Sequence, residues 1–135
     1  VMMLRSRMNR QGVRLERQTP SVPALVDGNK TRLEQVFVNL LRNALDAMDE
    51  DGTIAIRTSV SEDSVRVAIE DTGPGLSPDM VERLFTPFST TRQNGLGLGL
   101  VITADILRDL GGGISAGNAS SGGACMTITL PRAAE

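Results

Sequence analysis

The chain has 135 residues, of which 40% are apolar, and its 14 Lys and Arg are nearly balanced by 16 Asp and Glu. That composition predicts one folded domain without a nucleic-acid-binding surface, and the sequence shows neither a signal peptide nor an apolar run long enough to span a membrane. Because it contains no histidine and a single cysteine, Cys125, it excludes imidazole general bases, histidine metal ligands and an internal disulfide, which fits a reducing cytoplasm.

In chain order, the first half of the sequence predicts a helix, a short strand and a long helix. Apolar periodicity, alternation and breakers predict a helix over 1–11, a strand over 13–18, a loop over 19–29 and a helix over about 30–48. Because the chain opens on Val1 inside a helical pattern, we interpret it as a fragment of a longer protein.

The helix over 30–48 combines a broad apolar face with a narrow polar stripe, while its remaining side is mixed and includes Leu45. At roughly 100° per residue, the stripe consists of Gln35, Asn39, Asn43 and Asp46. Two asparagines on a helix are most simply solvent-facing or bonded to nearby backbone. Amide oxygens are also hard neutral ligands that suit Mg²⁺ beside phosphate oxygens. The stripe therefore also favours a magnesium–nucleotide site at the border of a cleft.

The second half of the sequence predicts a sheet interrupted by another long helix. Two alternating stretches joined by the polar SEDS segment predict a hairpin. The elements are strands over 53–60 and 65–71, helices over 78–84 and about 97–110, and strands over 113–119 and 124–131. This order predicts an α+β fold, a two-layer sandwich of about five mixed, mostly antiparallel strands with about three helices on one face. Cys125 lies in the apolar closing strand and is expected in the core.

The DTGPGL stretch leads from an apolar strand directly into chain breakers. Asp71 ends the strand, and a carboxylate backed by an apolar wall can accept a hydrogen bond from an exocyclic amine such as that of adenine. Gly73 and Gly75 allow the backbone to approach a flat ring closely. The competing interpretation is an Asx-type turn, for which the same residues are suited.

The stretch LFTPFSTTRQNGLGLGL has the composition of a phosphate-binding segment. The hydroxyls of 89–91 and the cation Arg92 precede a helix whose N-terminus offers free N–H groups and the positive end of its dipole. The stretch lacks the P-loop and dinucleotide-binding fingerprints. A mobile glycine-rich loop is the alternative, but it leaves the alternating leucines without a role.

In this order and spacing, these stretches resemble the ATP-binding catalytic domain of sensor histidine kinases, which shares a superfamily with gyrase, Hsp90 and MutL. LEQVFVNLLRNALDAM resembles the N box, EDTGPGL the G1 box, LFTPFSTTR the F box, GLGLGL the G2 box and GGACMTITLP the closing strand. The resemblance covers about residues 10–131. The F and G2 boxes are most similar to those of kinases of the nitrogen-regulation or C4-dicarboxylate-sensing type.

The resemblance implies ATP and Mg²⁺ as ligands. It makes Asn43 the metal ligand, with Asn39 assisting at the phosphates, and Asp71 the residue that recognises the adenine amine. The implied catalytic residues are Asn39, Asn43 and Arg92. Phe85 and Phe88 would anchor an ATP lid over about 86–96. The implied nucleotide-binding residues are Asn39, Asn43, Asp46, Asp71, Gly73, Gly75, Leu76, Phe88, Thr90, Thr91, Arg92, Gly95, Leu96, Gly97, Leu98 and Gly99.

The sequence departs from the family pattern at several positions. Ala124 stands where many relatives have a threonine or serine that touches adenine through water, and Arg92 stands where lysine is common.

The gyrase branch has a water-activating glutamate where this sequence has Asn39, and an amide cannot accept a proton in that way. We therefore expect ATP to be held without efficient hydrolysis.

The implied function is to bind Mg-ATP and donate its γ-phosphate to a histidine on a separate dimerisation domain of a two-component sensor kinase. Residues 1–135 would be its single catalytic domain, cytoplasmic and monomeric in isolation, whether or not the parent is membrane-anchored. It would not touch nucleic acid or membrane, and a response regulator would act downstream. Without a phosphoacceptor histidine it could not phosphorylate itself. The alternatives are a regulatory or degenerate nucleotide-binding module and a gyrase- or Hsp90-like ATPase, which Asn39 disfavours.

Overall fold

The computed structural model describes residues 2–19, 26, 30–48, 50–78, 96–120 and 122–133. Within them the helices are α1 (Met2–Gln11), α2 (Lys30–Ala47) and α3 (Leu96–Asp109). The strands are β1 (Arg14–Gln18), β2 (Thr53–Val60), β3 (Ser64–Asp71), β4 (Gly113–Asn118) and β5 (Ala124–Pro131). These elements confirm the predicted α+β sandwich, with boundaries that differ from the prediction by a residue or two. The helix predicted over 78–84 falls, beyond its first residue, outside the described ranges.

The strands form one five-stranded mixed sheet in the order β1-β2-β3-β5-β4. The β1 and β2 strands are parallel, whereas β2–β3, β3–β5 and β4–β5 are antiparallel. Parallel neighbours need a crossover connection, and α2 supplies it between β1 and β2. Since β3 and β4 both run antiparallel to β5, α3 connects two further strands of the same direction. The described helices α2 and α3 therefore act as crossovers, and tight hairpins join β2 to β3 and β4 to β5.

One hydrophobic core lies between the sheet and the helices. Alternate residues of β3 and β5 point into it, as expected for strands with one covered face. Fully buried side chains include Val36, Leu40 and Leu45 of α2, Ile54 of β2, Leu107 of α3 and Ile128 of β5. Among the described helices, none has both the length and the apolar character needed to cross a membrane.

Helix α1 packs against the side of α2 on which the sequence shows a mixture of residue types. Leu45, expected there, is instead completely buried. Gln11 at the end of α1 donates from Nε2 to the carbonyl oxygens of Leu45 at 2.9 Å and Met48 at 3.0 Å. Carbonyls in the last turn of a helix have no partner within the helix, so Gln11 caps α2. This docking removes Leu45 from solvent.

The expectation that Cys125 is a core residue is wrong. Its neighbours Ala124 and Met126 are buried on the inner face of β5, whereas Cys125 is half-buried. Its Sγ lies 3.8 Å from Oγ1 of Thr127, on the same outer face. Strict alternation along a strand outweighs the apolar character of the segment, because only one face of this sheet is covered by the described helices.

Candidate nucleotide-binding site

The predicted site residues within the described ranges lie on α2, on the turn after β3 and at the start of α3. The turn over residues 71–76 abuts the C-terminal end of α2, because a Cβ added to Gly73 would lie 3.0 Å from the carbonyl oxygen of Ala47. Helix α2 in turn packs against α3. The fold thus brings the DTGPGL turn to the end of the helix that carries both asparagines, although they are separate stretches of the sequence.

The two carboxylate oxygens of Asp71 have different surroundings: Oδ1 is hydrogen-bonded to the protein backbone, whereas Oδ2 is available to a ligand. The residue is only 6% exposed, and its Oδ1 accepts hydrogen bonds from the backbone N–H of Gly73 at 2.9 Å and of Ala124 at 3.2 Å. The bond to Gly73 is the Asx turn that the sequence left open as an alternative. No hydrogen bond to Oδ2 is found within the described residues, so this oxygen can accept one from a ligand amine.

The glycines of the turn are required by the packing of the protein itself. Gly75 has a φ of +81°, in the region that favours glycine. A Cβ there would lie 2.8 Å from Oδ1 of Asn118 and would also collide with the carbonyl oxygen of Gly122. The role predicted for these glycines, contact with a flat ring, remains a prediction, whereas the contact of Gly75 with the β4–β5 hairpin and that of Gly73 with the end of α2 are observed.

Asn118, which the sequence analysis did not single out, holds the far end of the same turn. Its Oδ1 accepts from the backbone N–H of Leu76 at 2.7 Å, and its Nδ2 donates to the carbonyl oxygen of Leu76 at 2.9 Å. The two residues are far apart in the chain and meet only because β4 and β5 form a hairpin beside β3. An asparagine at the end of a short glycine-rich strand is the one local signal, and it does not indicate a partner.

The two asparagines of α2 are differently engaged. The Nδ2 of Asn39 donates to Oγ1 of Thr103 in α3 at 3.3 Å, and Thr103 is completely buried. The Nδ2 of Asn43 is buried and has no hydrogen-bond partner within the described part of the chain. A buried polar atom left unpaired costs about 1–3 kcal/mol. Nδ2 of Asn43 is therefore neither exposed to solvent nor bonded to the described backbone, as the simplest interpretation expected, although the residue as a whole is half-buried.

The Asn43 amide fits the ligands implied by the resemblance. Its buried Nδ2 can donate to a phosphate oxygen, and a rotation of the amide by half a turn presents Oδ1 instead, as a neutral oxygen ligand for Mg²⁺. The described residues contain no group of three or more His, Cys, Asp or Glu that could hold a metal alone. A metal held there would need the oxygens of a bound phosphate as further ligands.

The remaining predicted residues divide into those placed elsewhere and those outside the described ranges. The carboxylate of Asp46 forms an ion pair with Arg7 of α1 at 2.6 Å, on the side where α1 docks. Helix α3 begins at Leu96, so residues 96–100 are helical, and the first N–H groups of α3 have no partner within the helix. Outside the described residues lie Phe85, Phe88, Thr90, Thr91, Arg92 and Gly95.

Residues 28–134 match the family described as "Histidine kinase-, DNA gyrase B-, and HSP90-like ATPase". The C4-dicarboxylate transport sensor protein DctB of Rhizobium meliloti (strain 1021) is 43% identical over 126 residues, 90% of this chain and 20% of that protein. The chain thus spans about a fifth of that relative.

Solved structures give the same result. The nucleotide-free catalytic domain of the histidine kinase ThkA matches with a TM-score of 0.88 at 30% identity, over 97% of this chain and 86% of that one. ThkA in complex with the response regulator protein TrrA matches with a TM-score of 0.84 at 28% identity, over 98% of this chain and 38% of that one.

Proposed function

The chain belongs to the histidine kinase-, DNA gyrase B-, and HSP90-like ATPase family, and we propose that it binds Mg-ATP and donates the γ-phosphate to a histidine on a separate dimerisation domain. Membership of the family confirms the resemblance inferred from the four sequence boxes. The similarity to a C4-dicarboxylate transport sensor agrees with the kinase type that the F and G2 boxes resemble. The observation that carries the proposal is Nδ2 of Asn43, which is buried and has no hydrogen-bond partner within the described residues.

In this proposal the base of the nucleotide binds at the turn after β3. Oδ2 of Asp71 accepts a hydrogen bond from the exocyclic amine of adenine, because Oδ1 already accepts hydrogen bonds from two backbone N–H groups. The segment from Gly73 to Leu76 forms the wall against which the ring lies. Burial makes this recognition selective, since a ligand without an amine at that position would leave the carboxylate oxygen without a donor.

The phosphates and the metal are assigned to α2 and to the N-terminus of α3. Asn43 holds the metal, Asn39 assists, and the N–H groups of residues 96–99, which have no partner within the helix, together with the helix dipole favour the anionic groups. Bound Mg²⁺ supplies charge neutralisation and orientation of the phosphates. We assign Thr90, Thr91, Arg92 and Gly95 to the same end of the nucleotide on the strength of the resemblance alone.

Transfer then depends on position rather than on proton abstraction by this chain. The described site offers amides, a carboxylate that binds the base and backbone N–H groups, and none of these activates water. Asn39 is moreover committed to Thr103 through its Nδ2. Phosphoryl transfer relies mainly on alignment and electrostatic stabilisation, so the reaction proceeds when an acceptor imidazole is brought in line. This disfavours a gyrase-like hydrolase.

The partners follow from the absence of histidine in the sequence. The acceptor imidazole must come from a dimerisation domain outside residues 1–135, and a response regulator would receive the phosphoryl group afterwards. The structural relative ThkA has been captured with such a regulator, TrrA. We therefore propose a two-component sensor kinase as the parent, with residues 1–135 as its catalytic domain.

The test mixes this chain with the purified dimerisation domain of its parent and γ-labelled ATP. We expect acid-labile, base-stable label on the acceptor histidine, lost with Asn43→Ala and retained with Asn9→Ala, a matched truncation on the exposed side of α1. Nucleotide binding without label would support the regulatory module instead. Release of inorganic phosphate in the absence of an acceptor would support the hydrolase.

A further inference from the structure

We propose that Asn118 is a positioning residue for the base-binding half of the site, acting through the main chain of Leu76. This inference rests on the proposed function, since it concerns the affinity for a bound adenine ring. Asn118 itself need not touch the nucleotide. Its effect is to hold the segment from Gly73 to Leu76 at a defined distance from the Asp71 carboxylate.

The contact is a two-point clamp. One amide side chain accepts from the N–H and donates to the carbonyl of the same residue, Leu76, at 2.7 and 2.9 Å. Both distances are within the range of good hydrogen bonds. A side chain that satisfies both main-chain groups of one residue fixes its position and orientation together, as pairing with a neighbouring strand would. Leu76 also packs against the hydrophobic core, so the clamp and the core hold it from two sides.

Both ends of the turn are hydrogen-bonded to one pair of facing residues in the sheet. This pair, called the rung, consists of Asn118 and Ala124, which are register partners in β4 and β5. Ala124 donates its backbone N–H to Oδ1 of Asp71 at 3.2 Å, and Asn118 holds Leu76. The rung therefore sets the spacing between the residue that would read the adenine amine and the segment that would face the ring.

The hairpin is built to hold that rung in place. Its loop is closed by backbone hydrogen bonds from Ala119 N to Gly123 O at 2.7 Å and from Gly122 N to Ala119 O at 2.9 Å. The turn and the hairpin are in such close contact that a Cβ on Gly75 would collide with Gly122, and one on Gly123 would collide with the carbonyl of Asp71. A shift of Leu76 away from Asn118 would thus change the distance between Leu76 and the Asp71 carboxylate, the two sides of the proposed base-binding site.

The decisive variant is Asn118→Asp, which keeps the shape and one acceptor oxygen but replaces the Nδ2 donor with an oxygen facing the carbonyl of Leu76. We expect the affinities for ATP and for adenosine to fall by the same factor, about tenfold. The affinity for Mg-tripolyphosphate, which lacks the base, should be unchanged. Ser115→Asp introduces the same charge on the same strand, outside the clamp, and should alter none of the three.

The outcomes separate the inference from the proposed function. Adenosine binding that survives Asn118→Asp overturns the inference alone, as does an equal loss for Mg-tripolyphosphate, which would indicate general loss of structure. A wild-type chain that binds neither ATP nor adenosine overturns the proposed function and the inference with it. If Asn118→Asp does not fold, Asn118→Ala removes both polar atoms of the clamp without adding charge and should weaken adenosine binding in the same selective way.

Discussion

Asn39 of α2 and Thr103 of α3 are joined by a side-chain hydrogen bond of 3.3 Å in which the amide nitrogen donates to the hydroxyl oxygen. Because this bond uses one N–H of Nδ2, the second N–H and Oδ1 of Asn39 remain for other partners. Thr103 is completely buried, so the bond links the asparagine helix to the helix whose N-terminus is assigned to the phosphates. The orientation of the amide is therefore set by a residue that was not predicted to belong to the site.

Thr103→Val tests this orientation. Valine keeps the shape of threonine but removes the acceptor, so the Asn39 amide loses its fixed orientation. We expect the affinity for Mg-ATP, measured by calorimetry, to fall about fivefold to tenfold, the effect of losing one hydrogen bond. Thr103→Ser retains the hydroxyl and should bind within about twofold of the wild type. Equal losses for both variants would contradict the assignment.

Asn43→Ala should separate binding from stability. Mg-dependent nucleotide binding should disappear, because the variant lacks the amide assigned to the metal and phosphates. The ligand-free domain should become no less stable, and up to about 1 kcal/mol more stable, because an unpaired buried amide is removed and alanine favours the helix. Calorimetry and urea unfolding measure the two effects. Unchanged affinity for Mg-ATP would refute the metal assignment.

Asp71→Asn tests the separate roles assigned to the two carboxylate oxygens of Asp71, one bonded to the backbone and the other assigned to adenine. The remaining carbonyl oxygen can still accept from Gly73 and Ala124, so the fold should be retained. The oxygen assigned to the adenine amine becomes an NH₂ donor that opposes the ligand donor, and ATP affinity should fall about tenfold to a hundredfold. Circular dichroism checks the fold and titration calorimetry the affinity. Wild-type affinity in a folded Asp71→Asn variant would exclude Asp71 from base recognition.

The start of α3 yields a prediction about two neighbouring positions. Gly97→Ala should weaken nucleotide binding more than it lowers the melting temperature, because a side chain there would crowd the turn assigned to the phosphates. Leu100→Ala should lower the melting temperature first, by the loss of apolar burial expected where the helix's apolar face begins. Thermal melts and binding isotherms on both variants settle the order. The reverse order would mean that the functional start of the helix is misassigned.

Local periodicity was sufficient to predict most of the fold. The strand over 53–60 and the closing strand over 124–131 were predicted at their observed bounds, because alternation of apolar residues reports directly which face is covered. The Asx-type turn after Asp71, given as an alternative, was likewise suggested by adjacent residues, and the bond from Gly73 N–H to Oδ1 of Asp71 confirms it. These features depend on residues that are close together in the sequence.

Contacts between distant segments could not be predicted. Asn118 and Leu76 lie 42 residues apart, and Gln11 and Leu45 lie 34 residues apart, so no local pattern connects them. The burial of Leu45 and the outward position of Cys125 were missed for a related reason. Both depend on which surface another element covers, and a helical wheel or an alternation pattern gives the faces without saying what packs on them.

The strand order leaves β1 and β4 at the two edges of the sheet, and these edges differ in charge. Exposed charged residues, among them Arg14, Glu16 and Arg17, line β1, and such residues oppose the addition of a strand from another molecule. Strand β4, from Gly113 to Asn118, carries no charge at all. Self-association through strand pairing is therefore opposed at β1, and a single lysine introduced at Ser115 would extend the same protection to β4.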